Sequence, residues 1–215
     1  MNHRIVPVTA FAQNCSIHWC PQTREAVVID PGGDVDRIGD VLAEERLVPV
    51  RVLLTHGHLD HAGEAATLAR RLQVPIWGPQ EADRYWLECL DRQGAQYGFP
   101  PLEPFVPERW LEQGDTVEFG GQTLEVLHCP GHTPGHLVYF QRSAGLAVVG
   151  DVLFAGSIGR TDLPGGNHAD LLASIRSRLW PLGEEVRFIP GHGPLSSFAE
   201  ERRSNPYVAD RRMPV

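Results

Sequence analysis

Apolar runs of strand length open the chain: Ile5 to Thr9, Asn14 to Trp19 and Ala26 to Asp30 are separated by short turn segments and predict antiparallel strands. The period then changes. Ile38, Val41, Leu42 and Leu47 recur at helical spacing behind Asp34, which stands at the N-cap position. Val50 to Thr55 reads as a buried strand, followed by a helix through Ala65, Leu68, Ala69 and Leu72. Pro75-Ile76-Trp77 is a short strand, and a further helix is expected over roughly Pro79 to Leu90. Gln93 to Arg109 carries Gly94, Gly98, Pro100, Pro101, Pro104 and Pro107, which predicts an extended surface connection. Alternation returns at Thr116 to Phe119, Thr123 to His128, Leu137 to Phe140 and Leu146 to Val149, giving a second sheet. Asn167 is placed to cap a helix through Leu171, Leu172, Ile175 and Leu179, with Asp170 in its first turn. Val186 to Ile189 is a last buried strand, and the tail from Ser196 is expected to be helical.

These elements are consistent with an α+β chain in which two mixed sheets carry helices on both outer faces, an αββα four-layer sandwich. At 215 residues, with no internal repeat or low-complexity segment, residues 1–215 are expected to form one domain. A net charge of −8 argues against nucleic acid or an anionic membrane as partner. No apolar stretch approaches the length of a membrane span, and Met1-Asn2-His3-Arg4 leads straight into a strand, so a cytoplasmic location is expected. Cys15, Cys20, Cys89 and Cys129 have no zinc-knuckle spacing, and in a reducing compartment they are expected to be free.

The candidate chemistry sits where apolar strands end. Thr55-His56-Gly57-His58-Leu59-Asp60-His61 follows one such strand, and His132, Asp151 and His192 follow three others, each beside glycine. Imidazole and carboxylate suit zinc, iron or manganese, and the absence of thiolate among these positions argues against copper–thiolate and iron–sulfur centres. His56 and His58, two apart in an extended segment, can share one ion, and Asp60 and His61 can face a second. Cys129 adjoins the His132 loop and is either a cavity wall or a small buried hydrophobe.

The order HxHxDH, then His, then Asp, then His resembles the metallo-β-lactamase superfamily over nearly the whole chain. Gly150-Asp151-Val152-Leu153-Phe154-Ala155-Gly156-Ser157-Ile158-Gly159-Arg160 is similar to the type II glyoxalase-like hydroxyacylglutathione hydrolases. Asn14 to Cys20, Ile29 to Gly33 and Arg160 to Pro164 resemble their short bacterial YcbL-type branch. The resemblance implies His56, His58 and His132 on a first divalent ion, Asp60, His61 and His192 on a second, and Asp151 bridging them. It implies two divalent ions, zinc foremost with iron or manganese as alternatives. The implied reaction is hydrolysis of a glutathione thioester, S-D-lactoylglutathione to D-lactate and glutathione, by a bridging hydroxide. Asp60 and Asp151 would serve in catalysis as well as in metal binding. Arg160 is the implied substrate contact, with a loop salt bridge as its other reading. His136 is expected to support the site without binding metal. Asp30 either orients a ligand histidine or forms a turn, and the role of Asp162 stays open.

After His192 only Gly193 to Val215 remain, too few for the helical glutathione-binding domain of the larger glyoxalase II enzymes. Glutathione specificity is therefore expected to be looser, in a monomer or small homo-oligomer. The alternatives are a mononuclear iron glutathione persulfide dioxygenase using His56, His132 and Asp151, and a lactonase or other acyl-thioester hydrolase of the same fold.

Overall fold

A computed structural model describes residues 1–210; the last five positions of the expected C-terminal tail lie outside the described residues. Strands β1 (Asn2–Val8), β2 (Gln13–Trp19), β3 (Glu25–Ile29), β4 (Val48–Leu53) and β5 (Ile76–Trp77) form one sheet in that order. Its first two pairings are antiparallel and its last two parallel. The second sheet contains β6 (Thr116–Phe119), β7 (Gln122–His128), β8 (Leu137–Gln141), β9 (Leu146–Gly150), β12 (Arg187–Pro190) and β13 (Ser196–Ser197), in the order β13-β12-β9-β8-β7-β6. A small hairpin of β10 (Leu153–Phe154) and β11 (Ser157–Ile158) stands apart from both. The helices are α1 (Val35–Glu44), α2 (Leu59–Ala62), α3 (Ala65–Leu72), α4 (Arg84–Glu88), α5 (Leu90–Tyr97), α6 (His168–Ser174) and α7 (Phe198–Ser204).

The two-residue period of the strands builds the layers. In β3, Val27 and Ile29 join Leu124, Val126, Tyr139 and Val148 between the sheets, while Ala26 and Val28 face Ile38, Leu42 and Leu68 of the helices outside. In β8 and β9, Val138, Phe140, Ala147 and Val149 turn the other way, against Leu171, Ile175 and Phe198. This is the αββα sandwich, with three apolar cores separating four layers.

Three expectations are corrected. Asp34 precedes α1, but its φ of 53° turns it away from the helix, and its carboxylate accepts from the Thr9 N–H at 2.7 Å instead of capping. The helix expected over Pro79 to Leu90 is a 3-10 turn at Glu81–Asp83 followed by α4, with a break at Cys89. The predicted extended connection from Gln93 starts inside α5, which runs to Tyr97 and stops at Gly98, whose φ is 72°. Gly94 is tolerated there because its bare Cα lies against Leu102: an added Cβ would stand 3.1 Å from Leu102 Cγ. Asn167 caps α6 as expected, accepting from Ala169 and Asp170 N–H at 2.9 and 3.2 Å.

His18, fully buried in β2, gives the fold a pH dependence remote from the cluster of candidate ligands. Burial, with the charges of His3 and the N-terminus behind it, lowers its pKa from 6.5 to about 3. A depressed histidine pKa means the unfolded chain takes up a proton that the folded chain refuses. The stability contribution is full above pH 6.5 and is lost as pH falls through 3, up to roughly 5 kcal/mol. His18→Gln is expected to flatten the acid slope of metal-free protein, read as denaturant midpoints between pH 7 and 4. Parallel slopes in variant and parent would contradict this.

Candidate metal centre

Four strand ends deliver the seven predicted residues to one place. β4 runs into His56 and His58, and α2 carries Asp60 and His61. The loops after β7, β9 and β12 carry His132, Asp151 and His192. His56, His58 and His132 form one buried triad; Asp60, His61 and half-buried His192 form another. His58 Nδ1 lies 3.1 Å from His56 Nε2 and 2.9 Å from His132 Nε2. Asp60 Oδ2 lies 3.0 Å from His192 Nε2 and 3.8 Å from His61 Nε2. Asp151 faces both triads, with Oδ1 3.3 Å from His61 Nε2 and Oδ2 3.6 and 3.7 Å from His132 and His192 Nε2.

The surrounding hydrogen bonds decide which nitrogen four of the five rings present, His58 being the exception. Oxygens next to Nδ1 of His132, His192 and His56 are the Arg160 carbonyl at 2.7 Å, the Phe11 carbonyl at 3.1 Å and Thr55 Oγ1 at 3.0 Å. Two carbonyl oxygens can only accept, so Nδ1 of His132 and His192 carries the proton and Nε2 is left bare. Asp30 does the same for His61, with its Oδ2 2.9 Å from Nδ1, while also accepting from the Thr55 N–H and hydroxyl at 2.7 and 2.6 Å. Asp30 thus orients a histidine, the first of its two sequence readings, and its oxygens are occupied in doing so. His136 accepts the Asp151 N–H on Nε2 at 3.1 Å and stacks on His56, so it supports the cluster from behind.

The donor set fits divalent cations. His61 Nε2 and Asp151 Oδ1 are buried and have no hydrogen-bond partner, although the nearest polar neighbours are well placed to share an ion with them. Burial lowers His56, His58 and His132, keeping them neutral as ligands must be. Burial also opposes charge on Asp151, but His61, His132 and His192 outweigh it and hold the carboxyl well below its usual range. For His61, burial is outweighed by Asp151 and Asp60, and its pKa rises.

Two residues that sequence reasoning missed hold the ligand loops. Asp83 is buried between the His56–His58 and His132–His136 segments, accepting from Gly57 N at 3.0 Å, Thr133 Oγ1 at 2.8 Å and Gly135 N at 2.6 Å. Burial pushes its carboxyl up to about 6 against the pull of those three donors. Gln93 of α5 accepts from Leu59 N at 3.0 Å and donates to the carbonyls of Gly57 and Trp86 at 3.3 and 2.7 Å. Asp83→Asn would turn an NH2 toward one of two backbone N–H groups, leaving a buried donor unpaired. A loss of about 1–3 kcal/mol in unfolding free energy is expected, with weaker metal retention in dialysis. An unchanged denaturation midpoint would remove this role.

A cavity of about 900 Å³ opens over the cluster, lined by Phe11, Trp86, Tyr97, Phe154, Ile158 and Arg160 among others. Arg160 is paired with Asp162 through two 2.7 Å bonds and remains largely exposed, which gives Asp162 its place. Cys129 is buried in the outer core, its thiol pushed up to about 12 by burial, so the hydrophobe reading holds and the cavity-wall reading is corrected. All four cysteines are free. Among the described residues, no helix is long and apolar enough to cross a membrane.

A family model described as the metallo-beta-lactamase superfamily matches residues 8–192, a span that includes all seven positions. The chain is 44% identical over 209 residues to hydroxyacylglutathione hydrolase GloC of Haemophilus influenzae, covering 97% of this chain and 98% of that protein. It superimposes on the BLEG-1 B3 metallo-beta-lactamase with a TM-score of 0.88 at 34% identity, covering 96% and 99% of the two chains. A di-iron-bound form of TTHA1623 matches with a TM-score of 0.87 at 35% identity, covering 95% and 100%.

Proposed function

From the premise that this chain belongs to the metallo-beta-lactamase superfamily and is a metal-dependent hydrolase, we propose that it hydrolyses glutathione thioesters, S-D-lactoylglutathione among them. The observation that carries the two-ion part is Asp151, one carboxylate whose two oxygens face two separate ligand triads. His56, His58 and His132 would hold one ion, Asp60, His61 and His192 the other, with Asp151 common to both. The similarity to hydroxyacylglutathione hydrolase GloC supports the choice of substrate. Zinc is the metal we propose, in a cytoplasmic protein; a di-iron-bound relative makes iron the first alternative.

Two divalent ions so held would supply a water of lowered pKa and would polarise an acyl carbonyl. The protein's own contribution is positional. Asp60, kept ionised by His61 and His192 against its burial, can only accept a hydrogen bond, and orients an attacking water toward the carbonyl. Trp86, Phe154 and Ile158 enclose the acyl group and keep bulk water off it. Arg160, steadied by Asp162, meets the peptide part of the substrate. A thiolate departs readily, so no side chain needs to protonate it.

The test is an assay of metal-loaded protein with S-D-lactoylglutathione. Equal release of D-lactate and glutathione is expected. No hydrolysis, together with oxygen uptake and sulfite from glutathione persulfide, would overturn the proposal.

A further inference from the structure

Helix α5 carries more than a clamp on the ligand loop. Arg92, Gln93, Gln96 and Tyr97 recur at spacings of one and three, so they share one helical face, and together with Cys89, just before the helix, they line the cavity above the ligands. Gln93 is buried and holds the ligand loop, Cys89 is buried beside it, and Arg92, Gln96 and Tyr97 are exposed. Tyr97 packs edge-on to Phe11, which also lines this cavity. Arg160 lines the same cavity. The α5 face and the Arg160 loop are therefore walls of one mouth.

Two arginines line that mouth, and they differ in how they are engaged. Arg160 commits Nε and Nη2 to Asp162. No carboxylate pairs with the Arg92 guanidinium among the described residues, and the acids nearest to it in sequence have other partners: Glu88 lies against Arg84, and Asp91 accepts from the Arg92 backbone N–H. The two proposed ions would offset Asp60 and Asp151 at the floor, so at the rim a substrate carboxylate meets Arg92 as a cation with no carboxylate already on it.

We propose that Arg92 is a specificity-determining residue that pairs with a carboxylate on the thiol side of the substrate. This rests on the thioesterase reading and goes beyond it by naming a second wall of recognition. The planar fork of Arg92 takes a carboxylate through two parallel N–H···O bonds, a match that an uncharged thiol cannot make. The acyl side of the scissile bond stays with the apolar lining. Arg92 thus discriminates between leaving thiols and leaves the reacting atoms alone.

The experiment uses metal-loaded protein, wild type and R92Q, with two readouts. The first is calorimetric binding of S-methylglutathione, a thioether that cannot be hydrolysed. R92Q is expected to bind it about tenfold more weakly, and R92K to recover part of the loss. The second is turnover of a lactoyl thioester of glutathione against one of the uncharged thiol N-acetylcysteamine. KM for the first should rise about tenfold in R92Q with kcat held within about twofold, and KM for the second should not move. Equal binding of S-methylglutathione by both proteins, or equal KM changes on both thioesters, would overturn the proposal. Should wild type hydrolyse neither thioester, the thioesterase reading fails while the thioether titration still decides whether Arg92 grips a carboxylate.

Discussion

Asp151→Ala is expected to leave the chain folded but with fewer than two metal ions, and to lower thioester hydrolysis by at least about a thousandfold. The reason lies in one side chain serving both triads: Oδ1 faces His61 while Oδ2 faces His132 and His192. Removing it would take a donor and a negative charge from each of the two proposed ions at once, which no neighbour can replace. Asp30 is occupied by Thr55 and His61. The loop should survive, because the Asp151 N–H still donates to His136 and Gly191 N still donates to the Gly150 carbonyl at 2.7 Å. Circular dichroism of the variant should match the parent, so that lost activity reports the site and not the fold. Undiminished metal content with full turnover would overturn the assignment.

Gly191→Ala should do comparable damage without touching a ligand. A Cβ there would stand 2.0 Å from Asp151 Oδ1 and 2.7 Å from His61 Cε1, far inside contact distance. The backbone cannot retreat, since Gly191 donates to the Gly150 carbonyl and accepts from Asn14 N–H, both at 2.7 Å. Asp151 must swing away, and the proposed shared ligand would be lost with it. The expected result is metal loss like that of Asp151→Ala, with about 1–3 kcal/mol of destabilisation from overpacking. Gly193 is the control: its φ is 76° and an added Cβ meets nothing within 4 Å. Gly193→Ala should cost about 1 kcal/mol of backbone strain and keep the metal. If both variants retained metal equally, the close-packed cradle around Asp151 would be refuted.

What the sequence made legible was local. Strand ends beside glycine, ligand spacing and the Asn167 cap are all set within a few residues, and the structure places them where the pattern points. The layer arrangement followed because strand alternation decides which side chains enter which core. Illegible features depended on partners far along the chain. Asp83 has no motif around it, and its meaning comes from Gly57, Thr133 and Gly135, tens of residues away on either side. Helix α5 was hidden by Gly94 and the prolines after it. The small size of Gly94 serves contact with Leu102, a tertiary reason that local propensity cannot show. Asp34 had the chemistry of a cap, but the nearby Thr9 N–H captured its carboxylate.

The most direct test of the two-ion centre is elemental analysis of purified wild type and Asp151→Ala, each reloaded with zinc and freed of excess metal. The account predicts close to two ions per wild-type chain and a clear loss in the variant. One ion per chain in both proteins would contradict a centre shared through Asp151.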